Sequence, residues 1–228
     1  MAFNNFKQFM QKHVINERNS DRTVFIYIPN FLEKDKRQNI VSELESYNDW
    51  KVGYNYQGKL ITRKQKWYQT NNQSFCKDWK NKFDRWEPNP YTDNLTTLQS
   101  YVETYINKII KTDNYINKPK YNSLLINYYE DGNNFITAHQ DSIKSFGEYP
   151  TIALLSFGDS RKFILERTLE GKLARNKNQS YLNKEFILED NSLFIMAGGS
   201  QKYYCHAIQK ETNKKKRYSL SFREYINL

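Results

Sequence analysis

Cysteine and long apolar segments are scarce in this chain, and their scarcity excludes several classes of protein. The two cysteines, Cys76 and Cys205, do not form a CxxC pair, so neither a zinc ribbon nor a disulfide framework is indicated. The first residues lack the apolar stretch of a signal peptide, and no apolar run approaches the ~20 residues of a membrane span. We therefore expect an intracellular protein that is a monomer and has no membrane partner.

Aliphatic residues are also limited, because hydrophobic residues of all kinds make up only 38% of the 228 residues. The 18 Tyr, 14 Phe and 4 Trp can supply the missing core area. The formal net charge of +10 favours a polyanionic partner, either nucleic acid or an anionic membrane surface. A biased Lys- and Asn-rich composition with a solvated surface would give the same charge.

The first half of the chain predicts helices with few strands. Thr23–Ile28 has the composition of a strand, and Phe31–Ser46 has the periodicity of a helix. Asn94 is a candidate N-cap for a second helix that continues to about Lys111. Residues 1–20 suggest a loose arm or a peripheral helix, and residues 49–92 are aromatic and basic with no clear period.

The second half predicts many short strands separated by turns, which favours a β-sandwich or barrel. The candidates are Ser123–Tyr129, Phe135–His139, Thr151–Ser156, Lys162–Glu166, Glu185–Leu188, Leu193–Ala197, Tyr203–Ile208 and Arg217–Phe222. Lys172–Lys184 is polar and predicts an exposed loop. We expect one α+β domain over residues 1–228, with N-terminal helices in residues 1–118 and a double-stranded β-helix (jelly roll) core in residues 119–228.

Two of the three histidines occupy positions typical of a metal site. His139 and Asp141 form an H-x-D pair, and His206 follows much later. Residues i and i+2 of a strand face the same side, so the pair can point together if the strand continues through it. Two imidazoles and one carboxylate are the ligand set of non-haem Fe(II) oxygenases. An H-x-D pair also occurs as two hydrogen-bonded polar residues at a strand end.

The segment Arg217–Arg223 has arginines at both ends and two serines between them, all on one face of a predicted strand. Buried cations need anions, because an unpaired buried charge is costly. A dicarboxylate could bind both arginines through forked pairs. A surface strand with solvated arginines is the simpler explanation of this motif taken alone.

Several segments follow one another in the order of a known family. They are Asn122–Tyr129, His139–Asp141, Ile152–Gly158 with Arg161 and Phe163, Ser192–Met196 with His206, and Arg217–Arg223. The last of these matches an R-x-N-L-T-F-R signature with Ser219 and Ser221 at the Asn and Thr positions. Residues 120–225 thereby resemble the AlkB family of Fe(II)/2-oxoglutarate dioxygenases.

The resemblance implies a metal centre and a reaction. His139, Asp141 and His206 would hold Fe(II) and form the catalytic centre. With 2-oxoglutarate and O₂ as co-substrates, such enzymes hydroxylate an N-methyl group, produce succinate and CO₂, and release formaldehyde. The implied function is oxidative demethylation of damaged DNA or RNA bases, as in DNA repair.

The resemblance also implies a binding site for 2-oxoglutarate. Arg217, helped by Tyr129, would pair with the far carboxylate. Asn127 and Arg223 would hold the carboxylate next to the keto group. Ser219 belongs to the same predicted set.

The residues that contact the substrate are expected in a nucleotide-recognition lid. Leu60–Gln65 resembles the P-R-K-Q stretch of this lid, with Thr62 in place of Pro. Cations there would contact phosphates, and aromatic rings would stack on an extruded base. The predicted substrate contacts are Arg63, Lys64, Trp67 and Tyr68. Residues 54–58 are a candidate wedge turn. Ordinary exposed charge with aromatic residues in the core is the alternative interpretation of this region.

Ile143 departs from the family pattern. Repair members carry an acidic residue two positions after the iron aspartate, where it contacts the flipped base, and this chain has Ile143 there. The base preference is therefore open, and so is the choice between DNA and RNA. A 2-oxoglutarate oxygenase acting on a protein or a small molecule is the alternative function. A third is an inactive nucleic-acid-binding module on the same fold.

Overall fold

The computed structural model describes residues 10–17, 21–54, 58–76, 83–110, 116–169, 172–173 and 183–226. Within these residues two mostly antiparallel sheets of nine and five strands are formed. The strands are β1 (Gln11–Asn16), β2 (Arg22–Ile28), β3 (Lys51–Tyr54), β4 (Leu60–Gln69), β5 (Pro88–Asn89), β6 (Ser123–Tyr129), β7 (Ile136–His139), β8 (Ile152–Gly158), β9 (Arg161–Leu169), β10 (Lys172–Leu173), β11 (Lys184–Leu188), β12 (Ser192–Gly198), β13 (Tyr204–Ile208) and β14 (Arg217–Arg223). The helices are α1 (Lys34–Ser46), α2 (Asp93–Ile109), α3 (Ile143–Phe146) and α4 (Ser200–Tyr203).

The larger sheet has the strand order β1-β2-β12-β8-β14-β6-β4-β3, and β5 pairs with β4. The smaller sheet has the order β10-β9-β13-β7, and β11 pairs with β9. This arrangement is the predicted α+β jelly roll.

Side-chain alternation along the strands separates two cores. In β2, Val24 and Ile26 pack in one cluster with Leu44 of α1 and Val102 of α2. Phe25, between them, packs in a second cluster that includes residues of the smaller sheet. Successive residues of a strand point to opposite faces, so one face of the larger sheet packs on the helices and the other faces the smaller sheet.

Most strands of the second half lie where the sequence predicts them. β6 coincides with its predicted bounds, and the others differ by a few residues at their ends. The predicted N-cap of α2 is wrong. Thr92 is the cap, because its hydroxyl accepts a hydrogen bond from the Leu95 amide at 3.2 Å, and Asn94 lies in the first turn.

The first half contributes more strands than its sequence suggests. Gln11–Asn16, predicted as part of a loose arm or a helix, is strand β1 and pairs with β2. Residues 49–92, which have no clear period, include β3 and the ten-residue strand β4. β4 pairs with β6 of the jelly roll, so this strand pair extends the larger sheet directly.

Three predictions fall partly or wholly outside the described residues. They are the arm at residues 1–9 and 18–20, the centre of the wedge turn at residues 55–57, and most of the exposed loop between residues 172 and 184. Among the helices described, none is both long and apolar enough to span a membrane.

Candidate metal centre and its cavity

Two neighbouring strands bring the predicted metal ligands together. His139 ends β7 and lies directly opposite His206 of β13 in the antiparallel register, with ring centroids 4.2 Å apart. Asp141 lies two residues beyond the end of β7. One ligand atom from each of the three residues lies within 4.8 Å of the others. The geometry is compact enough for one ion to contact all three.

Hydrogen bonds orient His139 and Asp141. The Nδ1 atom of His139 lies 2.9 Å from the Thr137 carbonyl. Because a carbonyl only accepts, Nδ1 carries the proton, and Nε2 keeps its lone pair on the side of Asp141. Gln201 of α4 accepts a hydrogen bond from the Asp141 amide at 2.9 Å. Such outer contacts fix the orientation of metal ligands.

Burial and local charge favour the protonation states that a metal requires. Burial and the neighbouring His139 lower the pKa of His206 to about 3. Burial alone would raise the pKa of Asp141, but the cationic Arg223 and the two histidines lower it to about 2. Neutral imidazoles and an ionised carboxylate are the forms that bind metal cations.

The two arginines of β14 have different partners. Arg223 donates to both carboxylate oxygens of Asp141, at 2.6 and 3.3 Å. Arg217 is fully buried and donates one hydrogen bond to the Ser156 hydroxyl at 2.8 Å. Its Nε and Nη1 atoms have no hydrogen-bond partner among the described residues. Arg217 is therefore a buried cation with unused donors, which is the feature expected of an anion site.

The residues predicted to bind 2-oxoglutarate meet at one place. Asn127 lies opposite Ser219, and Tyr129 lies opposite Arg217, on the paired strands β6 and β14. Together with Arg223, all of them line a cavity of about 660 Å³ that the metal ligands also line. Their binding role remains a prediction that this common location supports.

The predicted substrate cations lie on opposite faces of β4. Arg63 lines the cavity, where its Nε donates to the Asn127 side-chain oxygen at 2.9 Å. Lys64 points to the other face and forms an ion pair with Glu130 at 2.7 Å. Strand alternation therefore brings Arg63 to the site and leaves Lys64 outside the cavity lining.

The prediction that Trp67 or Tyr68 stacks on a target base is wrong, because both rings are buried in the core, with 0% and 2% exposure. The Trp67 indole donates to the Gln73 carbonyl at 2.8 Å, and Tyr68 packs among the residues between the sheet and the helices.

Besides Tyr129 and the two histidines, the aromatic rings that line the cavity are Phe75, Trp86, Phe135 and Phe163. Phe75 and Trp86 stack with ring centroids 4.4 Å apart. Sequence reasoning missed Phe75 and Trp86 because they lie in an irregular segment whose position depends on distant contacts.

A protein family with a metal-dependent activity matches the part of the chain that contains the candidate metal ligands. Residues 24–223 match the 2OG-Fe(II) oxygenase superfamily. The chain belongs to this superfamily. The match extends from β2 to β14 and includes the three candidate ligands, so the oxygenase fold covers nearly all of the described core.

Curated proteins that are similar to this chain include an alkB homologue and a DNA oxidative demethylase. The chain is 32% identical to alpha-ketoglutarate-dependent dioxygenase alkB homolog 3 of Rattus norvegicus, over 60% of this chain and 43% of that protein. It is 31% identical to DNA oxidative demethylase ALKBH2 of Arabidopsis thaliana, over 46% of this chain and 38% of that protein. The chain thus spans less than half the length of these relatives.

Solved structures of low sequence identity share the fold of this oxygenase. One, described as the structure of OsALKBH1, superimposes with a TM-score of 0.58 at 14% identity, covering 88% of this chain and 97% of that chain. A prolyl hydroxylase from Trichoplax adhaerens, in complex with a hypoxia inducible factor peptide fragment, gives 0.55 at 13% identity, covering 87% and 83%.

The residues of the cavity fit the two groups that the superfamily uses. Two histidines and one aspartate, buried or partly buried, suit Fe(II) and leave coordination positions open for co-substrates. The unused donors of Arg217 suit one carboxylate of 2-oxoglutarate. His139, Asp141 and His206 would hold the metal, and the β6–β14 pair would hold the co-substrate.

Proposed function

We propose that this oxygenase removes alkyl groups from nucleic-acid bases, using Fe(II), 2-oxoglutarate and O₂. One observation carries the proposal: a single cavity joins the three candidate ligands, the unpaired Arg217 and a wall of aromatic rings. A nucleic-acid substrate would place its action inside the cell.

Each group of residues has a distinct task in this proposal. Fe(II) with its co-substrates supplies the oxidation of a C–H bond. Arg217 binds the far carboxylate of 2-oxoglutarate, and Arg223 keeps Asp141 ionised and oriented. Phe75, Trp86 and Phe135 belong to the apolar lining of the cavity, against which an extruded base would lie.

The proposed demethylation needs no reagent other than O₂ and 2-oxoglutarate. One oxygen atom of O₂ enters the N-methyl group, giving N-hydroxymethyl. The other oxygen atom enters the succinate that forms as 2-oxoglutarate loses CO₂. The N–CH₂OH group then releases formaldehyde, and its hydroxyl proton returns to the base nitrogen.

Charge and relatives favour nucleic acid as the substrate. The formal net charge of +10 attracts a phosphate backbone. A curated relative carries the name DNA oxidative demethylase. Both observations support nucleic acid as the substrate class.

The decisive experiment uses a panel of methylated DNA and RNA oligonucleotides. Loss of methyl mass that requires 2-oxoglutarate is expected for at least one member, together with formaldehyde release. The His139→Ala variant should lose both this activity and anaerobic Fe(II) binding. Activity retained in that variant would refute the metal assignment.

A second function is favoured because Ile143 stands where an acidic side chain would contact the target nucleobase. Ile143 is 58% exposed at the start of α3, and Glu148 forms an ion pair with Lys202 at 3.1 Å. Among the described residues lining the cavity, Asp141 is the only acid. A protein or small-molecule substrate would be indicated if 2-oxoglutarate were consumed but no oligonucleotide lost methyl mass.

A further inference from the structure

Two side chains of β4 hold the amide of Asn127 from the same side. Arg63 Nε donates to the Asn127 Oδ1 atom at 2.9 Å, and Gln65 Nε2 donates to the same atom at 3.0 Å. Gln65 lies directly opposite Asn127 in the register of β4 and β6. Arg63 is fixed further by a bond from Nη1 to the Phe135 carbonyl at 3.3 Å.

These contacts determine which way the amide faces. A guanidinium only donates hydrogen bonds, so the Asn127 atom next to Arg63 must be the oxygen. The two donors occupy both lone pairs of that oxygen. The Asn127 NH₂ group makes no hydrogen bond to the described residues, and Asn127 lines the cavity. Two N–H donors are therefore left to face the cavity.

The position of this NH₂ group relates it to the co-substrate site. Asn127 lies opposite Ser219, two residues along β6 from Tyr129, which lies opposite Arg217. Residues two apart on a strand share a face. A dicarboxylate with one end at Arg217 can therefore extend along this face and accept from the Asn127 amide.

Arg63 contributes charge as well as orientation. It has no ion-pair partner in the described part of the chain, whereas Lys64 and Lys66 of the same strand pair with Glu130 and Asp49. Burial lowers the pKa of Arg63, which reflects the cost of a cation without an anion nearby. An anion in the cavity would reduce that cost.

We propose that Arg63 and Gln65 are positioning residues of the 2-oxoglutarate site, locking Asn127 with its NH₂ toward the co-substrate. Because both belong to β4 of the predicted substrate lid, the lid and the co-substrate site are energetically linked. The inference rests on the proposed function, since it takes 2-oxoglutarate as the ligand. It assigns Arg63 to the co-substrate rather than to a substrate phosphate.

Direct binding tests this role without relying on turnover. The Mn(II)-loaded protein is titrated anaerobically with 2-oxoglutarate by calorimetry. In Arg63→Gln the replacement amide can accept as well as donate, so Asn127 can rotate and affinity should fall roughly 5–10-fold. Arg63→Lys retains a donor-only cation and should recover affinity to within about twofold of the wild type.

A second variant and a control variant distinguish a specific loss of binding from a loss of folding. Gln65→Glu has nearly the same shape but only accepts, so it should turn the Asn127 NH₂ away from the cavity and weaken binding. Lys51→Gln removes a cation of the adjacent strand β3, which pairs with Asp84, and should leave affinity unchanged.

Hydrogen exchange measures the link between the lid and the co-substrate. In the wild type, 2-oxoglutarate should slow amide exchange along Leu60–Gln69, and Arg63→Gln should remove most of that protection. If folded Arg63→Gln and Gln65→Glu bind 2-oxoglutarate as tightly as the wild type, the positioning role is refuted while the proposed function stands. If the wild type itself does not bind 2-oxoglutarate, the proposed function fails first.

Discussion

Arg223 forms a two-point ion pair with Asp141, from Nε to Oδ2 at 2.6 Å and from Nη2 to Oδ1 at 3.3 Å. Each of the two side chains is 5% exposed, so the pair is shielded from water. The contact joins the end of β14 to a candidate metal ligand beyond β7. The strand that is predicted to hold the co-substrate thereby also orients a candidate metal ligand.

Removing this arginine should destabilise the protein strongly. Arg223→Met leaves the Asp141 carboxylate buried without a cation, and we expect the free energy of unfolding to fall by about 3–5 kcal/mol. Urea denaturation of the metal-free protein measures the change. Adding Mn(II) should restore part of the loss, because the metal replaces the missing positive charge.

Arg37 provides the matched control, since it forms a similar forked pair with Asp190 at 2.8 and 3.0 Å on the surface. The two side chains there are 29% and 41% exposed, so Arg37→Met should cost about 1 kcal/mol or less. Equal losses in the two variants would contradict the importance of burial.

Replacing Arg217 should weaken 2-oxoglutarate binding strongly and should change the stability of the ligand-free protein only slightly. Arg217→Met removes a buried cation with two unused donor atoms, so the free energy of unfolding without ligand should change by less than about 1 kcal/mol or increase. Binding of 2-oxoglutarate should weaken about 10–150-fold, the loss expected for a charge-assisted hydrogen bond.

A 2-oxo acid without a second carboxylate is the control ligand for Arg217. It should bind the wild type and Arg217→Met with equal affinity, because it lacks the group that the arginine holds. A similar loss for both ligands would show that Arg217 acts by shaping the cavity and not by pairing with the far carboxylate.

Trp67 should behave as a core residue. Trp67→Ala removes a fully buried ring and should lower the free energy of unfolding by about 3–5 kcal/mol in a denaturant titration. Trp67→Phe should cost less and leave substrate turnover intact. Turnover lost in a stable Trp67→Phe protein would restore the stacking role that the structure rejects.

Stability should decline at alkaline pH because buried tyrosines resist ionisation. Burial and the neighbouring Tyr128 raise the pKa of Tyr218 to about 12 from its ordinary value of 10.0. Between these values the unfolded chain gives up a proton that the folded chain keeps, so the free energy of unfolding falls as pH rises.

Urea unfolding across this alkaline window measures the decline, and Tyr218→Phe should make it shallower. Burial also raises the pKa of Tyr121 and Tyr91, so part of the decline should remain in the variant. An unchanged slope in Tyr218→Phe would contradict the assignment.

The jelly-roll strands and the ligand set could be predicted because their signals are local. β14 alternates Arg and Ser with apolar residues, β6 is a short and largely apolar segment, and the H-x-D pair needs only two positions that are close in the chain. The orientation of Arg63 and the burial of Trp67 could not be predicted. Both depend on the pairing of β4 with β6, a contact between segments about sixty residues apart.

The sequence by itself determined the candidates for the chemistry of this protein: His139, Asp141 and His206 as metal ligands, and the arginines at both ends of β14 as the predicted dicarboxylate site. Only the tertiary structure decided which residues of β4 face the cavity. In a strand, a shift of one residue reverses every side chain, and the register of β4 is set by its distant partner. That register turns Arg63 inward to Asn127 and Lys64 outward to Glu130.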